Sequence, residues 1–158
     1  MEELKKQIKG WIIFFMAALV ISGLTAIPVR SEINFLYRMT GDIGFVQPWM
    51  EKLQEGINET GDKYHFLFYG YDWLAFAHFV IAILFIGPFK DPVKNIWVIE
   101  FSMIVCLLII PFALIAGHFR GIPFWWRLVD CSFGIAGLVP LIICYRKINR
   151  LEQLTNEN

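Results

Sequence analysis

Four uninterrupted apolar windows, each long enough to cross a bilayer as a helix, constrain this chain more than any other feature in it. The hydrocarbon core needs about 20 predominantly apolar residues per helical crossing. Residues 11–29 carry no charge, residues 71–89 hold only Asp72 and His78, residues 96–117 only Glu100, and residues 125–145 only Arg127 and Asp130. The expectation is an all-α integral membrane protein, a four-transmembrane-helix bundle forming one membrane domain over residues 1–158. Composition agrees: 57% of residues are hydrophobic, against about 45–50% apolar in soluble domains. Lys plus Arg and Asp plus Glu balance at 14 each, so the basic excess that nucleic-acid binding requires is missing.

The first window follows Lys5, Lys6 and Lys9, as a signal peptide would. It outruns a typical apolar signal region, and Ile27-Pro28-Val29-Arg30 is no small-residue cleavage site, so it reads as a retained first helix. Lysine and arginine then orient the bundle, because cytoplasmic loops collect them. Lys5, Lys6, Lys9, Lys90, Lys94, Arg146, Lys147 and Arg150 fall on one side, at the helix ends. That places both termini in the cytoplasm and the protein in a plasma (inner) membrane.

Residues 30–70 form an outer segment too apolar for a plain linker. Ser31 is placed to N-cap a short helix carrying Ile33, Phe35, Leu36 and Met39. After a turn at Gly41 and Gly44, Pro48 suits the first turn of a second helix, with Trp49, Leu53 and Ile57 on one face. Gly56 and residues 58–61 predict its end. Such an amphipathic helix lies in the interface or caps the bundle as a lid. Asn58-Glu59-Thr60 matches a glycosylation sequon. The three cysteines, Cys106, Cys131 and Cys144, all sit in apolar runs and read as packing residues.

Ionisable residues inside spans are costly, and they mark function or pairing. Asp72, His78, His118, Arg120, Arg127 and Asp130 are predicted to converge at the outer ends of spans two to four, beside Trp73, Trp125 and Trp126. In the reactive reading, His78 is an acid or base oriented by Asp72 and Asp130, while Arg127, Arg120, His118 and Trp126 hold a ligand. The plain reading makes Arg127 and Asp130 an intrahelical ion pair, Asp72 a helix cap, and His78 a satisfied structural histidine. Glu100, near the inner side, is a proton or cation site, or else the partner of Lys90, Lys94 or Arg146.

A zinc variant would draw on His65, His78 and His118, and a bis-histidine haem on His78 and His118, whose depths differ by about two turns. Neither spacing is diagnostic, so the cofactor stays unknown and no metal site is assigned. The leading expectation is an outward-opening polar pocket that binds or processes a lipid or small amphiphile. Its rival is a non-enzymatic subunit or a channel- or transporter-like homo-oligomer. Whether the chain is an enzyme is left open by the residues.

Overall fold

The computed structural model describes residues 1–40 and 43–156. Gly41, expected in the turn after the first outer helix, lies outside them. The described residues form helices α1 (Glu2–Ala26), α2 (Val29–Thr40), α3 (Gln47–Lys63), α4 (Tyr69–Leu84), α5 (Ile86–Lys90), α6 (Ile96–Phe119) and α7 (Phe124–Asn156). A 3₁₀ turn, His65–Phe68, leads into α4, and no strand occurs among the described residues. Four helical stretches are long and apolar enough to cross a membrane: Glu2–Ala26, His65–Lys90, Ile96–Phe119 and Phe124–Asn156. By length and composition they mark a membrane protein.

Every span is longer than its apolar window, for local reasons. α1 begins at Glu2 because its charged first turns support a helix, with Lys5 on Glu2 at 3.3 Å. It ends before Pro28, which excludes helical backbone at the residue preceding it. Glu32 N–H donates to Pro28 O, so α2 already runs through Ser31, which is therefore no N-cap. α7 covers 33 residues, about 50 Å at 1.5 Å per residue, well beyond an apolar core of about 30 Å.

The chain divides into two compact units. One comprises Met1–Ala18 and Ala82–Asn158, the other Leu19–Ile81. The first is organised by α6 and α7, joined by the tight connection at 120–123. Small residues let these two backbones approach closely. A Cβ on Gly134 would stand 2.5 Å from Cys106 O, and one on Gly137 would stand 2.9 Å from Cys106 Sγ. Cys131 Sγ lies 3.8 Å from Ile110 O. Below this contact the buried residues Leu141, Cys144, Ile148 and Leu151 recur every three or four positions, the spacing of a helix seam. Ile8 and Ile12 of α1 are buried too, Phe15 packs on Phe85 with centroids 4.8 Å apart, and Lys147 Nζ donates to Gln7 Oε1 at 2.6 Å. The three cysteines are indeed buried and free.

In the second unit, α2 and α3 pair through amides. Asn34 and Asn58 exchange reciprocal hydrogen bonds of 3.1 and 3.2 Å, and Gln54 adds a third to Asn34 Oδ1 at 3.1 Å. Arg30 closes the cluster on Asn58 Oδ1 and Asp62 Oδ1, both at 2.9 Å. With the Asn58 side chain spent on α2, it does not break α3, which runs through Gly56 and residues 58–61 to Lys63. The same engagement leaves the amide of the sequon asparagine committed within the fold. Trp49, Met50, Leu53 and Ile57 are buried or half-buried, while Glu51, Lys52, Glu55, Glu59 and Lys63 are exposed. Lys63, 2.8 Å from Glu59, holds that carboxyl below its usual range. Whatever this exposed pair contributes is present at neutral pH and fades as pH falls through the lowered value. Elsewhere in the unit, Gly23 of α1 accepts α4 at close range: a Cβ there would meet Phe79 Cε1 at 2.7 Å and Ala75 O at 3.1 Å.

Two glycine substitutions separate packing from propensity. Gly134→Val drives a side chain into the Cys106 carbonyl and is expected to cost about 1–3 kcal/mol. Gly56→Ala meets nothing within 4 Å and should be neutral or stabilising by up to about 1 kcal/mol, since glycine weakens a helix interior. Thermal unfolding in detergent measures both, and equal midpoints would show that α6 and α7 do not pack here.

Candidate functional site

The α6–α7 corner carries four of the predicted ligand contacts. α6 ends in a Schellman motif. Ile122 N–H donates to Gly117 O and Gly121 N–H to His118 O, with Gly121 at φ 68°, where a side chain is strained. Pro123 follows, and its carbonyl accepts from the N–H groups of Trp126 and Arg127 to start α7. This turn leaves His118 and Arg120 exposed and brings Arg127 back over α6.

Arg127 makes no ion pair with Asp130 among the described residues. Its Nη1 donates to Leu114 O at 3.0 Å instead, and its guanidinium carbon stands 5.3 Å from the Phe124 ring centroid. Arg127 stands in the first turn of α7, where the helix dipole disfavours a cation, and its side chain crosses to α6 instead of running along its own helix to Asp130. Sequence spacing alone paired the two charges, but the seat on α6 decided the geometry. Gly117 makes this possible: a Cβ there would lie 2.6 Å from Arg127 Cδ and 2.7 Å from Cγ. Arg127 Nε is buried and has no hydrogen-bond partner. Only one of the three guanidinium nitrogens is hydrogen-bonded among the described residues. Trp125 and Trp126 stack edge to face, with centroids 5.4 Å apart, and His118 meets Phe119 at 5.7 Å.

The residues expected to do chemistry are arranged differently. His78 is half-buried on α4 beside Gly23, and its Nδ1 donates to Leu74 O at 2.8 Å. That bond fixes the ring within its own helix. Asp72 lies six residues earlier, about 120° around the helix from His78 at 100° per residue. The two therefore occupy different faces of α4, and no hydrogen bond or ion pair joins them among the described residues. Asp72 does not cap α4 either: it is exposed and accepts no hydrogen bond among the described residues. It borders an open depression of about 220 Å³ lined by Tyr69, Asp72, Trp73 and Phe76. Asp130 is half-buried, and Glu100 is exposed in the first turns of α6 with no ion pair to Lys90, Lys94 or Arg146 among the described residues. No group of three His, Cys, Asp or Glu among the described residues could hold a metal ion, so the zinc arrangement of His65, His78 and His118 is not formed.

Sequence reasoning missed Gly117. Its signal was present, as a glycine ten residues before an arginine across a Gly-Ile-Pro turn. No family model, curated protein or solved structure matches this chain.

A double-mutant cycle tests the Gly117–Arg127 seat. Arg127→Ala removes a charged hydrogen bond and should cost about 1.5–3 kcal/mol. Gly117→Ala should cost a comparable amount in the wild-type chain and almost nothing in the Arg127→Ala background, where no side chain remains to displace. Additive losses would mean that Arg127 does not rest on Gly117.

Proposed function

We propose that this chain is an integral membrane protein that binds the anionic head group of a lipid, or of a small amphiphile, at the α6–α7 corner. The observation that carries the reading is the state of Arg127. One nitrogen anchors its guanidinium on Leu114 O, and Nε is buried without an acceptor. A guanidinium offers a planar fork that fits phosphate or carboxylate through two parallel hydrogen bonds. A buried donor without a partner costs about 1–3 kcal/mol, which an anionic oxygen would recover. Arg120 and His118 supply further positive or protonatable groups on the same turn. Trp125 and Trp126 are the amphipathic rings that favour the head-group level.

Binding fits this arrangement better than turnover. His78 Nδ1–H is engaged in a hydrogen bond to Leu74 O, and Asp72 occupies another face of α4. We further read the basic helix ends, from Lys5 to Lys9, at Lys90 and Lys94, and from Arg146 to Arg150, as cytoplasmic. Both termini then lie inside, in a plasma (inner) membrane.

Native mass spectrometry of the full chain in mild detergent tests the binding. Phosphatidylglycerol should be retained in preference to phosphatidylcholine, and Arg120→Ala together with Arg127→Lys should reduce that retention about tenfold, with weaker retention at high salt. A clean lipid-free mass at one defined oligomeric state, unchanged by added phosphatidylglycerol, would overturn the reading and favour a non-enzymatic subunit.

A further inference from the structure

We propose that α2 and the turn at residues 43–46 lie along the membrane surface, with Phe35, Met39 and Phe45 inserted where lipid head groups meet acyl chains. Sequence periodicity points to α3 for that place, through the face of Trp49, Leu53 and Ile57. The fold has used that face internally. Met50 is buried and Trp49, Leu53 and Ile57 are half-buried, so α3 exposes no large apolar side chain. It exposes Glu51, Lys52, Glu55, Glu59 and Lys63 instead, a charged surface suited to water. α2 is the reverse. Phe35 and Met39, four positions apart on one face, are each more than three-fifths exposed. The turn adds Phe45, exposed to the same degree, and Ile43, which is nearly half exposed.

How the α2–α3 hairpin is attached says what covers this surface. α1 ends at Ala26 and α2 begins at Val29, while α3 leads through His65–Phe68 into the span that continues as α4. Arg30, at the start of α2, meets Asp62 near the end of α3 at 2.9 Å, so both attachments are at the same end of the hairpin. That end is held at the leaflet where one span stops and the next begins. The twelve residues of α2 carry the chain about 18 Å from it, towards the turn. Upright, the hairpin would hold Met39, Ile43 and Phe45 in water, at the end farthest from any lipid. Laid along the surface, it places them against acyl chains and keeps the charges of α3 among head groups and water, as interfacial amphipathic helices do. Glu32 and Arg38, each three positions from Phe35, border the apolar pair. Arg38 is exposed and has no ion pair among the described residues, so its head can reach lipid phosphate while its stem stays on the apolar side chains. Lipid is the occupant that this attachment supplies, because it lies beside every copy of the chain.

This surface shares no residue with the α6–α7 corner and stands without it. The test uses the full chain in vesicles of phosphatidylcholine and phosphatidylglycerol, with one nitroxide label per variant. Phe35→Cys, Met39→Cys and Phe45→Cys are compared with Lys52→Cys, Glu55→Cys and Glu59→Cys. All six positions are exposed, so the fold should tolerate each change, and the wild-type chain, whose three cysteines are buried, sets the labelling background. Electron paramagnetic resonance then reads collisions with oxygen, which concentrates in lipid, and with a neutral nickel chelate, which stays in water. The oxygen-to-nickel ratio should be severalfold higher at 35, 39 and 45 than at 52, 55 and 59. Equal ratios at the two sets overturn the proposal, and so does lipid contact at 45 without contact at 35 and 39. Labels at 35 and 39 shielded from both reagents also overturn it. Spin–spin broadening that disappears on dilution with unlabelled chain would then identify the occupant as a second copy.

Discussion

The close approach of α6 and α7 is the interaction on which the rest of the first unit depends. In hydrocarbon, apolar side chains gain nothing by leaving lipid for one another, so spans associate through tight packing and polar contacts. Gly134 lets the α7 backbone reach the Cys106 carbonyl, and Gly137 admits the Cys106 thiol beside it. With the backbones that close, the four-residue connection closes in a Schellman turn, and Gly121 takes the left-handed conformation it needs. The turn in turn carries Arg127 over Gly117. A larger residue at 134 would move every one of these features, although it touches neither arginine.

How much of this the sequence made legible depended on the kind of force involved. Burial in lipid is read from long apolar runs, so the four spans were plain. Their ends were less so: α7 continues beyond its apolar window because Ile148 and Leu151 keep the helix-seam spacing through a charged segment. The end of α3 was misplaced for the opposite reason. Gly56 and the Asn58-Glu59-Thr60-Gly61 run has breaker composition, but the amide of Asn58 is bonded to α2, a tertiary contact that local pattern cannot reveal. Within the candidate site, helical spacing was the signal overlooked: Leu74, four residues before His78, shares its face and takes its hydrogen bond. Asp72, six residues before it, lies on another face, and that consequence outweighs nearness in the chain when partners for His78 are sought. Arg127 and Asp130 show the limit of spacing arguments, since a backbone carbonyl of the neighbouring α6, Leu114 O, holds the guanidinium instead.

The carboxylates near the helix starts are alike in what surrounds them. Glu100 and Asp72 share a local pattern: Trp97, Phe101 and exposed Ile104 flank the first as Tyr69, Trp73 and Phe76 flank the second. Both stand near the start of a helix. Glu100 is the fifth residue of α6, four positions after Ile96, so its side chain can extend to the membrane surface as long polar chains do near span ends. Asp72 is the fourth residue of α4, in its first turn, where the helix N-terminus favours an anion. Neither carboxylate has an ion pair among the described residues. An acidic residue among exposed aromatics at a helix start is therefore accounted for by the helix itself, and does not by its presence distinguish one span from another.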